Sequence, residues 1–156
     1  MVENKNLEIL VVDDDSAIRE MNGFVVEHLG YKAVYAKDGE EGLKLAYERK
    51  PALILSDYDM PKKNGMELYA ALIKRGFEDI DDRMIMISAT DEETLDKSAK
   101  SLGVENRLTI VKKPYNIENL SELISEKVRA YKEENKIKED WIRLQLRLWR
   151  WLRVRQ

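Results

Sequence analysis

The fold is decided by the stretch Ala52-Leu53-Ile54-Leu55-Ser56-Asp57-Tyr58-Asp59-Met60-Pro61. A mostly apolar run leads directly into the carboxylate of Asp57, and the short loop that follows contains Pro61 and Gly65. A continuous apolar run bounded by turn residues is typical of a strand that is buried on both faces, as in a parallel sheet. Asp57 is therefore expected where this strand ends, at the edge where open α/β sheets bind their ligands.

Three further apolar runs end in polar groups in the same way. Residues 9–12 lead into Asp13-Asp14-Asp15, residues 84–87 into Ser88-Ala89-Thr90, and residues 108–111 into Lys112-Lys113-Pro114. The carboxyl ends of parallel strands meet at one edge of a sheet. The four strand ends would thus bring carboxylates, a hydroxyl and an ammonium group to the same place.

The predicted elements are five strands that alternate with five helices. Strands are predicted at residues 7–13, 32–36, 52–57, 84–88 and 107–112, and helices at residues 16–29, 39–49, 64–74, 92–102 and from residue 117. Ser16 is expected to cap the first helix and Gly30 to end it, while Asp15 and Asp38 have local turn or capping roles. Alternating strands and helices imply right-handed crossovers and a parallel sheet that is covered on both faces.

Charge is unevenly spread along the chain. The net charge is −3, but residues 136–156 carry seven Lys/Arg and two Asp/Glu, a net of +5, which leaves −8 on the remainder. An acidic body argues against nucleic-acid binding by the main domain.

Composition also limits the cellular setting. The chain contains no cysteine, so disulfides and thiolate metal sites are excluded. Residues 1–6 lack the apolar core of a signal peptide, and no apolar run approaches transmembrane length. We therefore expect a cytoplasmic protein.

The residues at the strand ends suggest a particular chemistry. Carboxylates on two adjacent strands, about 4.8 Å apart, would repel one another without a cation among them. Mg²⁺ is the natural candidate, because it binds oxygen ligands and holds phosphate oxygens as well. With the ammonium of Lys113 and the hydroxyl of Ser88, the set describes a site for a phosphoryl group on a carboxylate.

The chain resembles the receiver domain of bacterial two-component response regulators over roughly residues 5–132. The resemblance rests on four motifs in order: Asp13-Asp14, Asp57 with Met60-Pro61 and Gly65, Ser88-Ala89, and Lys113-Pro114. It implies a flavodoxin-like, doubly wound fold with five helices and strand order 2-1-3-4-5. It also implies a signalling phosphoacceptor and not an enzyme, which supports only its own phosphoryl transfer and autodephosphorylation.

The resemblance assigns a role to each site residue. Asp57 would accept the phosphoryl group from a sensor histidine kinase or a histidine phosphotransfer protein. Ser88 and Lys113 would contact that group, and the peptide bond before Pro114 is usually cis in the family. Mg²⁺ would be held by Asp14, Asp57 and the main-chain carbonyl of Asp59, with Asp13 acting through water.

Two positions depart from the family pattern. The family commonly has an aromatic residue three positions before the lysine, and it turns when the domain is phosphorylated; Ile110 stands there. Tyr115 is too far round to be assumed a substitute. Asp59 lies at a variable position that affects phosphoryl lifetime, so an acid there leaves the rate open.

Two other classes of protein share features with this sequence. Asp13-x-Asp15 and Asp57-x-Asp59 look like the nucleophile motif of haloacid-dehalogenase-type phosphohydrolases, which use Mg²⁺ and an aspartate nucleophile. In those enzymes the nucleophile comes first and an acidic pair last, which is the opposite order. A DNA-binding output domain is not expected, because only about twenty residues follow the receiver.

The C-terminal segment differs from the rest, so we divide the chain into a receiver at residues 1–134 and a basic extension at residues 135–156. The extension holds all three tryptophans, Trp141, Trp149 and Trp151. Its apolar residues fit a helical seam and an alternating strand equally well. Four explanations stay open: a packing or coiled-coil extension of the last helix, a basic amphipathic helix for a membrane or partner, a connector stub, or residues foreign to the gene. An exposed stripe of this kind, or the face of the fourth helix, fifth strand and fifth helix, would favour a homo-oligomer.

Overall fold

Strands and helices alternate along residues 6–77 and 79–154, the part of the chain that the computed structural model describes. The strands are β1 (Glu8–Val12), β2 (Lys32–Ala36), β3 (Leu53–Asp57), β4 (Met84–Ser88) and β5 (Thr109–Lys112). The helices are α1 (Ser16–His28), α2 (Gly39–Arg49), α3 (Gly65–Lys74), α4 (Glu92–Ser101) and α5 (Ile117–Val154). Among the described residues, each predicted element is present.

The five strands form one parallel sheet in the order β2-β1-β3-β4-β5. This order and the doubly wound α/β class are as predicted. The chain runs outward from β1 to β2 and then returns to the other side of β1 with β3. The carboxyl ends of β1 and β3 therefore flank the switch point, where sheets of this class bind their ligands.

Helices cover both faces of the sheet, and each face has its own apolar core. On one face, α1 and α5 pack through side chains such as Val26 and Ile124 onto β1, β3 and β4. On the other face, α2, α3 and α4 pack through side chains such as Leu68 and Leu95. All residues of β3 and β4 are buried, which explains why their sequences are continuously apolar up to the polar residues at their ends.

Two local predictions were wrong in detail. The cap of α1 is Asp15, whose carboxylate accepts the main-chain N–H groups of Ala17 and Ile18, so Ser16 is the first helical residue. An ionised carboxylate at a helix N-terminus also interacts favourably with the helix dipole. Strand β5 begins at Thr109, two residues after the predicted start. The N-cap role of Asp38 and the left-handed turn at Gly30 agree with the sequence.

Helix α5 continues without a break through the basic extension. It has 38 residues and is therefore about 57 Å long. Its first turns are anchored by the buried Leu120, Ile124 and Val128, whereas every residue from 136 to 154 is exposed. The extension is thus a helix and not a strand. No described helix combines the length and the apolar character needed to cross a membrane.

Candidate functional site

Asp57 and Lys113 form an ion pair at the carboxyl edge of the sheet. Lys113 Nζ donates a hydrogen bond to Asp57 Oδ1 at 2.6 Å. The Asp57 residue is 5% exposed at the end of β3, while the Lys113 side chain, which follows β5, keeps a third of its surface in solvent. The Lys113–Pro114 peptide bond is cis. Lys113 is positioned further by its main-chain N–H, which donates to the carbonyl of Ser88.

Three carboxylates converge beside this ion pair. One carboxylate oxygen from each of Asp13, Asp14 and Asp57 lies within 4.8 Å of the others. Asp13 is buried and accepts the main-chain N–H of Asp15 at 2.9 Å, whereas Asp14 is exposed. The strand ends predicted from the sequence to deliver carboxylates thus bring them to one place.

Burial changes the pKa values of two of these carboxylates. Burial raises the pKa of Asp13 to about 6, and the negative charges of Asp57 and Asp14 add to that effect. Burial also raises the pKa of Asp57, against the opposing influence of Lys113. For Lys113, burial favours a lower pKa, but the hydrogen bond and attraction to Asp57 outweigh it and leave the pKa raised. Lys113 is therefore a permanent positive charge, and it does not offset the combined cost of burial and mutual repulsion for the carboxylates.

This arrangement fits a hard divalent cation. Mg²⁺ takes oxygen ligands, keeps several waters and is bound through one or two carboxylates together with phosphate oxygens. Asp13, Asp14 and Asp57 offer closely spaced oxygens, and Asp14 faces solvent, so the cluster is open to a hydrated ion. The side chain of Asp59 is exposed, and its charge is a further influence that raises the pKa of Asp57.

Ser88 ends β4 beside Asp57, since Asp57 pairs in register with Ile87. Its side chain is 1% exposed. Its hydroxyl oxygen accepts the main-chain N–H of Thr90 at 2.9 Å, which closes a tight turn after the strand. The hydroxyl hydrogen stays available for donation, because the bond to Thr90 uses only a lone pair of the oxygen.

The loop after β3 is held by a close backbone approach. A side chain at Gly65 would place its Cβ 2.5 Å from the carbonyl oxygen of Asp57, so only glycine fits there. The main-chain N–H of Gly65 donates to the carbonyl of Tyr58 at 2.9 Å. The loop that carries Asp59 is thereby folded back onto the end of β3.

Ile110 and Tyr115 lie on opposite faces of the sheet. Ile110 is packed with the core under α2, α3 and α4. Tyr115 belongs to the core under α1 and α5, where its hydroxyl donates to the buried Asn22 at 2.8 Å. Tyr115 is therefore not a substitute for an aromatic residue at position 110.

Sequence reasoning missed several contacts that support the site. Besides the N–H groups of Asp15 and Thr90, the guanidinium of Arg19 donates to the carbonyl of Asp13 at 2.7 Å. Arg19 lies one helical turn after Asp15. An arginine in the first turns of α1 was therefore the one sequence feature that could have indicated this contact with the end of β1. The Tyr115–Asn22 bond joins residues 93 positions apart and leaves no local pattern.

A five-stranded parallel sheet of this order, with carboxylates at β1 and β3 and a lysine after β5, defines the receiver class of signalling domain. The sequence model of the response regulator receiver domain matches residues 9–125. The chain belongs to that family. It is a receiver domain of response regulators, a signalling domain, and the phosphohydrolase alternative is not supported.

Individual relatives agree with this assignment. The chain is 34% identical over 108 residues to the phosphate regulon transcriptional regulatory protein PhoB of Pseudomonas aeruginosa, an alignment that covers 69% of this chain and 45% of PhoB. It is 29% identical over 121 residues to the probable chemotaxis protein CheY of Rhizobium etli, covering 77% of this chain and 91% of that protein. The chain thus spans less than half of the length of PhoB.

A solved structure shows the same fold. The CheY-like response regulator receiver domain protein of Methanospirillum hungatei JF-1 superimposes with a TM-score of 0.68 at 27% identity, covering 82% of this chain and 98% of the other. The family match ends at residue 125, so most of α5 lies outside it.

Proposed function

We propose that Asp57 accepts a phosphoryl group from a sensor histidine kinase or a histidine phosphotransfer protein. The observation that carries this proposal is the position of Asp57, whose carboxylate lies between a lysine at 2.6 Å and two further carboxylates within 4.8 Å. A nucleophilic carboxylate needs an attacking oxygen, positive charge for the phosphoryl oxygens and a donor for the charge that develops on them.

The residues of this chain divide these tasks. A carboxylate oxygen of Asp57 forms the new bond to phosphorus while the bond from phosphorus to the histidine nitrogen breaks. Lys113 and the Ser88 hydroxyl contact the phosphoryl oxygens, and Lys113 leaves its ion pair with Asp57 to do so. Asp14, Asp57 and the main-chain carbonyl of Asp59 would hold Mg²⁺, with Asp13 acting through water, and the ion would supply positive charge to the phosphoryl oxygens.

The proposed product is an acyl phosphate that the domain itself hydrolyses, so the only activity is on its own phosphoryl group. Asp59 is the residue of this loop whose exposed carboxylate is nearest in sequence to the acceptor. Its negative charge, already an influence on Asp57, acts on water approaching the phosphoryl group. The lifetime of the phosphoryl group is therefore expected to depend on residue 59.

The signal would leave the site through Ser88 and α4. Three anionic phosphoryl oxygens attract the Ser88 hydroxyl, and movement of this residue displaces the turn at Thr90 that leads into α4. The face formed by α4, β5 and α5 would then change its affinity for a partner or for a second copy of the domain.

The receiver is taken as residues 1–134, and residues 135–156 as an extension with a separate role. A chain without cysteine suits the reducing cytoplasm, and we propose that the phosphoryl transfer takes place there.

Intact-mass measurement after incubation with Mg²⁺ and a small phosphodonor tests the proposal. One phosphoryl group should add to the protein and be lost in base. A protein that stays unlabelled with Mg²⁺ present, or that releases phosphate from free phosphomonoesters over many turnovers, would contradict it.

A further inference from the structure

The distal helix, residues 137–154 of α5, exposes an unusual amount of apolar surface. Ten large apolar side chains there are between 50% and 86% exposed, among them three tryptophans. The last ion pair between this part of α5 and the sheet-bearing body is that of Lys138 with Asp79 at 3.5 Å, among the described residues. Exposed apolar surface on this scale marks a site of interaction.

The apolar residues of the distal helix lie in two rows, with Leu152 and Gln145 between them. Residues three and four apart are neighbours on a helix surface. The first row is Ile137, Trp141, Leu144, Leu148 and Trp151, and the second row is Ile142, Leu146 and Trp149. Together they form a face much wider than the single seam of a coiled coil.

The remaining face carries positive charge. Arg143, Arg147 and Arg150 follow one another at helical spacing, and residues 141–154 contain four arginines and no acid. Arg143 has a loose ion pair with Glu139 at 3.8 Å, whereas Arg147 and Arg150 have no carboxylate within ion-pair distance among the described residues. Arg153 lies over the ring of Trp149 at 4.6 Å, which adds a guanidinium beside the second apolar row. The body of the protein, by contrast, carries a net charge of −8.

A second copy of the chain is a poor occupant for this face. Upstream of Ile137, the helix positions in line with the first row include the charged residues Glu134 and Lys127. The apolar seam is therefore only about two heptads long, whereas a coiled coil needs about three or four. The seam would also bury only five of the ten exposed apolar side chains. The second row, with Trp149, would stay in water beside arginines that repel those of the partner.

We propose that the distal helix binds the surface of an anionic lipid bilayer and lies in its plane. The two apolar rows enter the boundary between headgroups and acyl chains, a position that suits tryptophan. Arg143, Arg147 and Arg150 then reach lipid phosphates, which guanidinium groups bind through paired hydrogen bonds. The acidic body is kept off the same surface, so the receiver site would face solvent. This proposal goes beyond the phosphoacceptor function and does not depend on it.

Tryptophan fluorescence offers a direct test, because all three tryptophans lie in the distal helix. The full chain is titrated with vesicles of phosphatidylglycerol and phosphatidylcholine, with vesicles of phosphatidylcholine alone, and with inorganic phosphate. We expect a blue shift and co-flotation with the anionic vesicles only, both reduced at high salt because the attraction is screened. Equal binding to both vesicles, or the same shift with phosphate alone, would overturn the proposal.

Matched variants separate charge at this face from charge in general. The variant R143Q/R147Q/R150Q should weaken binding to anionic vesicles on the order of a hundredfold. The control K44Q/K74Q/K100Q removes three exposed positive charges from the body and should bind like the wild type. L144Q/L148Q should abolish the blue shift, while circular dichroism and melting show that the receiver is folded. If both charge variants bind alike, or if sedimentation shows that lipid-free dimers account for the fluorescence change, the lipid proposal is wrong.

Discussion

The ammonium group of Lys113 lies 2.6 Å from a carboxylate oxygen of Asp57, and this hydrogen bond joins the loop after β5 to the end of β3. The contact crosses β4, which lies between these two strands in the sheet. The positive charge of Lys113 is therefore in direct contact with Asp57, the proposed nucleophile. Phosphorylation of this oxygen, as proposed, would convert it into the bridging oxygen of an acyl phosphate, which is a weaker acceptor than a carboxylate oxygen, and would thereby weaken the contact with Lys113.

The first prediction concerns the acceptor. Asp57→Asn should gain no phosphoryl mass from a small phosphodonor and Mg²⁺, because an amide is not a nucleophile under these conditions. Wild type should gain one acid-stable, base-labile group, measured as intact mass. Asp59→Asn removes an exposed carboxylate two residues away and should still be labelled. Full labelling of the Asp57 variant would place the acceptor elsewhere.

The second prediction concerns the coupling between Lys113 and Asp57. Lys113→Met leaves a buried carboxylate unpaired and should lower the free energy of unfolding at pH 7. Because the Lys113 side chain is 34% exposed, solvent screens the pair, and a coupling of about 1 kcal/mol is expected. A double-mutant cycle with Asp57→Asn, followed by urea unfolding without Mg²⁺, measures it. Additive effects of the two substitutions would show that the pair contributes nothing to stability.

The third prediction concerns pH. The pKa of Asp13 is about 6 in the folded protein, mainly through burial, and about 4 in an unfolded chain. The folded state therefore binds more protons, so this group makes the metal-free protein more stable as the pH falls from about 7 to about 4. Asp13→Asn should raise the free energy of unfolding at pH 7, by on the order of 2 kcal/mol, and flatten this dependence.

Urea unfolding at pH 5 and pH 7 in the presence of a chelator checks this effect. Asp15→Asn is the matched control, because it removes a neighbouring exposed carboxylate and asparagine still caps α1. The control should show no gain in stability at pH 7. A wild type that is equally stable at both pH values, with no gain for Asp13→Asn, would mean that Asp13 is not destabilised by burial.

The fourth prediction concerns Mg²⁺. Asp14→Asn should reduce the affinity for Mg²⁺ roughly tenfold or more, and by a larger factor than Asp13→Asn, because Asp14 is proposed to bind the ion directly and Asp13 only through water. Asp59→Asn removes the same charge but leaves the main-chain carbonyl, so it should cost less than Asp14→Asn. Isothermal titration measures the three affinities. An Asp14 variant that binds Mg²⁺ as tightly as wild type would reject the assignment.

The sheet and the edge that carries the site could be predicted because β1, β3 and β4 are buried on both faces. Such strands are mostly apolar, so the polar residues at the end of each apolar run mark the edge that faces the site. The positions of Asp57, Asp13 and Ser88 at this edge were predicted in this way, and their roles stay predictions. Lys113 follows the same logic, although β5 is less buried and its start was predicted two residues early.

Contacts between distant elements could not be predicted in the same way. The apolar spacing of α1 includes Ile18 and Met21, yet Asn22 and Gly23 are buried there. At Gly23 the ring of Tyr35 approaches within a distance that any Cβ would block, so α1 and β2 are in close contact there. The secondary structure of the basic extension could not be decided from the sequence, because the spacing of its apolar residues fits both a helix and a strand. Continuity with α5 and its Leu, Arg, Lys and Glu residues favour the helix.

The last prediction concerns the route of the signal. Beryllofluoride, a phosphoryl mimic, should change amide exchange mainly over residues 88–104, because the hydroxyl of Ser88 is drawn toward the new anionic oxygens. Ile110 has no ring to turn and no hydroxyl to bury, so the response falls on the turn at Thr90 and on α4. That helix buries only Leu95 and Ala99 among its ten residues, and few buried contacts mean low local stability. Ser88→Ala removes the hydroxyl and should leave α4 with the exchange rates of the free protein while the mimic is bound. If residues 88–104 keep their exchange rates in wild type with the site occupied, the signal leaves by another route.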